Sequence, residues 1–196
     1  MTDASKAGIA PASMSVDSPP SGDDAGAEAQ AWPVDAGDLP AEAMMCFALY
    51  SASHAMHRVY RPWLDRMGLT YPQFLTMTAL WRRDARTVGE LCAELRLATS
   101  TLTPLLKRLE AEGLVQRARD PRDARAVRVR LTEKGAALRA RSEGLTEAVH
   151  GATGLSVEQA RALTRAVACL RDRLESHADR IEREEVEGPE PEDGAA

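Results

Sequence analysis

Cysteine is scarce in this sequence, and the three present, Cys46, Cys92 and Cys169, are odd in number, widely spaced and without a CxxC pair. That pattern argues against a disulfide framework and against a zinc site. In a reducing compartment all three begin as thiols. No stretch approaches the ~20 consecutive apolar residues of a membrane helix, and the N-terminus lacks the basic-then-apolar layout of a secretory signal. The expectation is a cytoplasmic protein with no membrane partner. His54 and His57 stand three apart without a carboxylate or thiolate at matching spacing, so they read as polar interface histidines. No metal and no other cofactor is expected.

A chain of 196 residues, 44% hydrophobic and 28% charged, suits one domain of ordinary size with tails. Its formal charge of −5 conceals a division: residues 1–40 and 181–196 each carry −6, which leaves 41–180 at +7. The part that looks folded is therefore basic, and a polyanionic partner suits it. Residues 1–38, rich in Ala, Ser, Gly, Pro and Asp without a repeating apolar pattern, read as a disordered acidic extension, and 182–196 as a disordered acidic tail. Residues 39–181 remain as the folded domain.

Within it, Thr70 and Gln73, Thr87 and Glu90, and Ser156 and Gln159 have capping-box spacing and mark three helix starts. The patterns predict helices over about 41–66, 71–83, 88–95, 100–112, 132–150 and 156–180. Two short strands lie between, at 114–119 and 126–131. In "AVRVRL", Val127, Val129 and Leu131 alternate with Arg128 and Arg130, the period of a strand with one buried face. The fold class expected is mainly α with a small β-hairpin wing.

A short capped helix, a tight turn "LAT" and the helix "STLTPLLKRLEAEG" make a helix-turn-helix, and the hairpin after it makes the unit winged. Leu102, Leu105, Leu106 and Leu109 form the apolar stripe of the second helix. Ser100, Thr101, Thr103 and Pro104 are left for close approach to base edges, and Lys107 and Arg108 for phosphates. Ala98 has no capping side chain, which leaves Thr99 or Thr101 for that task. The wing supplies Arg117, Arg119, Arg122, Arg125, Arg128 and Arg130. As a set they point to double-stranded DNA, although any one of them alone reads as a solvated surface cation.

"LTPLLKRLEAEGLVQRARDPRDARAVRVRLTEKG" resembles the winged helix-turn-helix core of MarR-type bacterial transcriptional regulators, with DPRDxR in the wing and LTxxG after it. The resemblance implies that Asp123 and Arg125 support or form the wing tip, the arginine reaching into the minor groove. "MCFALYSASHAMHRVYRPWLDRMGLTYPQFL" is similar to the organic-hydroperoxide-sensing OhrR group of that family. This implies that Cys46 is the oxidised residue and that Tyr60 and Tyr71 hydrogen-bond its thiolate. Tyr50, one turn on along the same helix, is expected to pack beside the cysteine. Relatives usually carry LDSGTLTP where this chain has "LATSTLTP", so the identity of the operator transfers less readily. Some also carry a second, resolving cysteine where this chain reads "EAVHGATGLS". Its absence there implies capture of oxidised Cys46 by a low-molecular-weight thiol, or over-oxidation. Cys92 and Cys169 read as ordinary buried or border positions, and resolution of Cys46 by either is an open alternative that the sequence does not support.

Geometry adds an independent constraint. Cys46 and Tyr60 are fourteen residues apart on one predicted helix, about 21 Å at 1.5 Å per residue, so tyrosines that serve this cysteine must come from a second subunit. Cys46, Tyr50, Ser53, His57 and Tyr60 follow intervals of 4, 3, 4 and 3, one stripe that suits a partner helix. Ala160, Leu163, Val167, Leu170 and Leu174 repeat the pattern in the last helix. The reading is a homodimer formed through N- and C-terminal helices, on a palindromic operator. Met45, Phe47 and Leu49 make the surroundings of Cys46 apolar and favour an organic hydroperoxide as inducer. Two rivals stand beside this repressor: a MarR-type regulator of a small phenolic or aromatic ligand, and a thiol peroxidase. The second leaves the wing and recognition helix unexplained, and no enzyme activity is expected.

Overall fold

The computed structural model describes residues 40–187 apart from 122 and 124. The acidic extension, most of the acidic tail and the expected wing residue Arg122 lie outside the described residues. Two compact units are distinguished, divided between Thr153 and Gly154.

In the first unit a single 3-10 turn, Ala41–Ala43, precedes α1 (Met45–Met67), followed by α2 (Tyr71–Arg82). The chain continues through β1 (Arg86–Thr87), α3 (Val88–Leu95), α4 (Thr99–Ala111), β2 (Val115–Arg119), β3 (Val127–Leu131), α5 (Glu133–Ala137), a second 3-10 stretch at Leu138–Ser142, and α6 (Leu145–Thr153). The predicted starts hold: Thr70 and Gln73 form a reciprocal capping box on α2, and Thr87 and Glu90 one on α3. Gly68, left-handed at φ 68°, ends α1 where a side chain would be strained.

The expected hairpin is a three-stranded antiparallel sheet in the order β1-β3-β2, with Arg86 opposite Val129 and Arg117 opposite Val129 on the other side. A two-residue strand is too short to show period two, so β1 leaves no mark in the sequence. Met77 and Leu80 of α2, Leu91 of α3, Leu102, Leu106 and Leu109 of α4, Val115 and Val129 are fully buried together. This core locks the helix-turn-helix to the wing.

The single helix predicted over 132–150 is corrected. Gly144, left-handed at φ 79°, and the 3-10 stretch before it split the segment into α5 and α6. Gly135, in α5, lies so close to the turn after α4 that a Cβ there would fall 2.0 Å from the Leu114 carbonyl oxygen. That contact gives the glycine of the LTxxG pattern its physical reason.

The second unit contains α7 (Val157–Glu187). Ser156 and Gln159 exchange capping hydrogen bonds at its start, and the helix runs seven residues past the expected end at 180. Leu163, Val167, Leu174 and Ile181 stand along it with roughly half of each side chain exposed. No described helix is long and apolar enough to cross a membrane.

Candidate nucleic-acid interface and thiol site

Helix α4 presents two faces. Leu102, Leu106 and Leu109 are buried, while Ser100, Thr101, Pro104, Lys107 and Arg108 are exposed, as their spacing predicts. Thr103 is half-buried and lines a cleft of about 420 Å³ under the wing with Thr99, Arg117, Asp123 and Arg125. The expected capping by Thr99 or Thr101 is corrected: Ala98 occupies the N-cap position, extended at ψ 148°, and no side chain caps the helix. Thr99 instead turns its hydroxyl toward Cys92, 3.7 Å from the sulfur. The turn between α3 and α4 depends on Arg96 at φ 52°, and Leu97 N–H donates to the Cys92 carbonyl.

The wing loop is organised by Asp123. Its carboxylate accepts the Arg125 backbone N–H at 2.9 Å and its carbonyl accepts the Ala126 N–H at 2.9 Å. Arg125, Arg119 and Arg130 point to solvent. Two other wing arginines, Arg117 and Arg128, have structural tasks and are not solvated surface cations. Arg117 donates to Glu110 of α4 from Nε and from its backbone, at 2.8 and 2.9 Å. That side-chain bond, together with the guanidinium charge, holds the Glu110 carboxyl below its ordinary range. Arg128 donates from Nε to Asp120 at 2.9 Å and from a terminal nitrogen to the Ala85 carbonyl. Nothing in the sequence separated these two from the exposed three except the acids Glu110 and Asp120, whose approach is set by the hairpin register.

At the other end of the unit, Cys46 lies exposed in the first turn of α1, and Tyr50 is 61% exposed. Tyr60 and Tyr71 are half-buried and meet edge to face with ring centroids 5.0 Å apart. Burial pushes both phenols above the ordinary tyrosine value, and for Tyr60 the neighbouring Tyr71 adds to the rise. Rings link the first half of α1 to the start of α2: Tyr50 contacts His54 at 4.4 Å, His54 contacts His57 at 6.4 Å, and His57 contacts Tyr71 at 4.9 Å. The structure thus brings Tyr60 and Tyr71 together and leaves Cys46 more than three helical turns away from Tyr60 along the same helix. Among the described residues no group of three or more metal-ligating side chains is found.

Sequence reasoning missed Trp81. Its indole N–H donates to the Gly135 carbonyl at 2.9 Å, across fifty-four residues, and its ring packs 6.1 Å from that of Phe74.

A family profile described as the transcriptional regulator SarA/Rot matches residues 58–141. The HTH-type transcriptional regulator TtmR of Methylorubrum extorquens is 44% identical over 141 residues, 72% of each chain. The organic hydroperoxide resistance transcriptional regulator of Bacillus subtilis is 38% identical, over 68% of this chain and 90% of that one. Reduced AbfR bound to DNA superposes with a TM-score of 0.54 at 31% identity, over 66% of this chain and 92% of its own. A mutant MarR from E. coli complexed with operator DNA superposes with a TM-score of 0.58 at 24% identity, over 63% of this chain and 90% of its own.

Proposed function

Because the chain belongs to the MarR family of winged-helix transcriptional regulators, we propose that it is a homodimeric repressor released from a palindromic operator when an organic hydroperoxide oxidises Cys46. The observation that carries this reading is the placement of the tyrosine pair. Tyr60 and Tyr71 form a half-buried phenol pair, whereas Cys46 sits about 21 Å along α1, beyond any hydrogen bond in the same subunit. Cys46, Tyr50, Ser53 and His57 are exposed on the stripe that leads to Tyr60. A second subunit laid antiparallel brings the partner subunit's Cys46 to Tyr60 and Tyr71. The half-exposed apolar row of α7 supplies further surface for the same dimer.

The chemistry is a two-electron transfer. The thiolate sulfur attacks the outer peroxide oxygen, the O–O bond breaks, and the alkoxide leaves and is protonated to the alcohol, giving a sulfenic acid. A low-molecular-weight thiol then condenses with the sulfenic acid, releasing water and forming a mixed disulfide. Either product places a polar or bulky group between subunits and alters the Tyr60 and Tyr71 contacts. Two recognition helices must fit major grooves about 34 Å apart, so a change in their separation lowers affinity.

At the DNA, Ser100, Thr101, Thr103 and Pro104 approach base edges. Lys107, Arg108 and Arg119 contact phosphates, and Arg125, held by Asp123, enters the minor groove. A neighbour solved bound to DNA and a relative named as an HTH-type transcriptional regulator support DNA as the partner.

The test is binding to the promoter DNA upstream of its own gene, before and after one equivalent of cumene hydroperoxide. Wild type loses binding and Cys46→Ser retains it. Release of the Cys46→Ser variant by peroxide would remove Cys46 from the mechanism. The second reading is a regulator of the same family in which a small aromatic or phenolic ligand in the dimer cleft releases DNA and Cys46 is incidental. Reversible release by such a ligand in Cys46→Ser, without thiol chemistry, distinguishes it.

A further inference from the structure

The ring contacts around the tyrosine pair do not end there. Tyr60 lies 6.2 Å from Phe74, Phe74 lies 6.1 Å from Trp81, and the Trp81 indole N–H is bonded to the Gly135 carbonyl at 2.9 Å. Gly135 is the most constrained glycine of the described chain. A Cβ would be 2.0 Å from the Leu114 carbonyl oxygen, so α5 rests directly on the backbone that opens β2. Its own N–H donates to the Thr132 hydroxyl at 3.0 Å. That hydroxyl donates to the Gly113 carbonyl at 2.7 Å, and the Thr132 N–H donates to the Leu114 carbonyl at 3.1 Å. Thr132 directly follows β3, so both strands of the wing are anchored at this one junction.

We infer that Trp81 is the positioning residue through which the Tyr60 and Tyr71 pair acts on the base of the wing. Every contact in the series is a ring contact or a hydrogen bond with at least one backbone partner, and Gly135 lies close against the Leu114 carbonyl. When the tyrosine pair rearranges, Phe74 and Trp81 move with it, and the indole draws on the Gly135 carbonyl. The strands then turn with α5, because Thr132 and Leu114 are joined there. Packed networks of this kind carry coupling when an element has two arrangements that both sites bias. The inference rests on the redox reading above, which supplies the rearrangement.

Trp81→Phe keeps a ring against Phe74 and removes the N–H. Its reduced form is expected to bind the promoter DNA within about threefold of wild type, and Cys46 is expected to be oxidised at the wild-type rate, followed by mass spectrometry. The ratio of affinities before and after cumene hydroperoxide is expected to shrink about tenfold. A Trp81→Phe protein with the wild-type ratio overturns the inference and leaves the redox reading intact. Wild type that holds its DNA with Cys46 fully oxidised overturns both. Where Trp81→Phe fails to bind in the reduced state, the Trp32→Phe/Trp63→Phe protein decides, since Trp81 is then its sole tryptophan. Its emission is expected to change on peroxide treatment and to stay constant when Cys46→Ser is added. Emission that is indifferent to Cys46 oxidation overturns the inference.

Discussion

Arg128 closes the mouth of the wing on Asp120: its Nε lies 2.9 Å from the carboxylate, and Asp120 is 5% exposed. The same guanidinium reaches the carbonyl of Ala85, which sits at φ 57° just before β1. One side chain therefore ties β3 to the start of the wing loop and to the strand at the opposite edge. Arg128→Ala strips this cation from a buried carboxylate and is expected to cost about 2 kcal/mol, below the usual loss for a fully buried pair because Arg128 is partly exposed. Urea unfolding checks the stability. A larger fall in operator affinity than for Arg130→Ala checks the wing.

The Glu110 and Arg117 pair predicts a pH dependence of definite sign. A carboxyl lowered in the folded state contributes stability above its unfolded value, and that stability is lost as the pH falls through the folded value. Glu110→Gln is therefore expected to be less stable than wild type at neutral pH. The gap closes as the solution is acidified through and below about pH 4. Urea midpoints of the two proteins across that range give the comparison.

Tyr60 and Tyr71 carry the opposite sign. Their raised values mean that the stability each contributes is present below the unfolded tyrosine value and is lost as the pH rises through the folded one. In an alkaline titration followed by phenolate absorbance, wild type is expected to show a late-ionising component that Tyr60→Phe/Tyr71→Phe lacks. A double variant that titrates like wild type would contradict the burial of the pair.

Gly135→Ala forces a methyl against the Leu114 carbonyl oxygen. Backbone must shift to accommodate it, and about 1–3 kcal/mol of stability is expected to be lost. Thermal unfolding checks this. The corresponding change at Gly151, where a Cβ meets nothing within 4 Å, serves as the control.

For the proposed DNA face, Lys107→Ala and Arg125→Ala are each expected to lower operator affinity and to reduce the slope of log affinity against log salt by about one. Fluorescence anisotropy over a salt series reads both. Arg117→Ala, which breaks an internal pair, is expected to leave the salt slope closer to wild type.

Helix starts were legible wherever a capping box announces them, at Thr70, Thr87 and Ser156, because that signal is local and chemically specific. The buried leucines of α4 and the exposed cations beside them followed from period alone. What escaped the sequence was set by tertiary approach. Arg117 and Arg128 look identical to Arg119 and Arg130 along the chain, and only the strand register delivers them to Glu110 and Asp120. The break at Gly144 was invisible because the residues on either side keep a helical pattern. The bond from Trp81 to Gly135 joins residues that no periodic rule relates. The tyrosine pair stands between these cases: Tyr60 and Tyr71 were singled out in the sequence, and the packing of α1 on α2 joins them.

The contrast between capped and uncapped helices has a consequence for binding. Helices α2, α3 and α7 close their first turns with side chains from their own sequence. Helix α1, which carries Cys46, and helix α4, which carries Ser100 and Thr101, begin at Met44 and Ala98 with no side-chain cap. Their first turns therefore lack the side-chain acceptor that closes α2, α3 and α7. The two helices that carry the candidate cysteine and the candidate base-facing hydroxyls are thus the ones whose starts rest on backbone and packing alone.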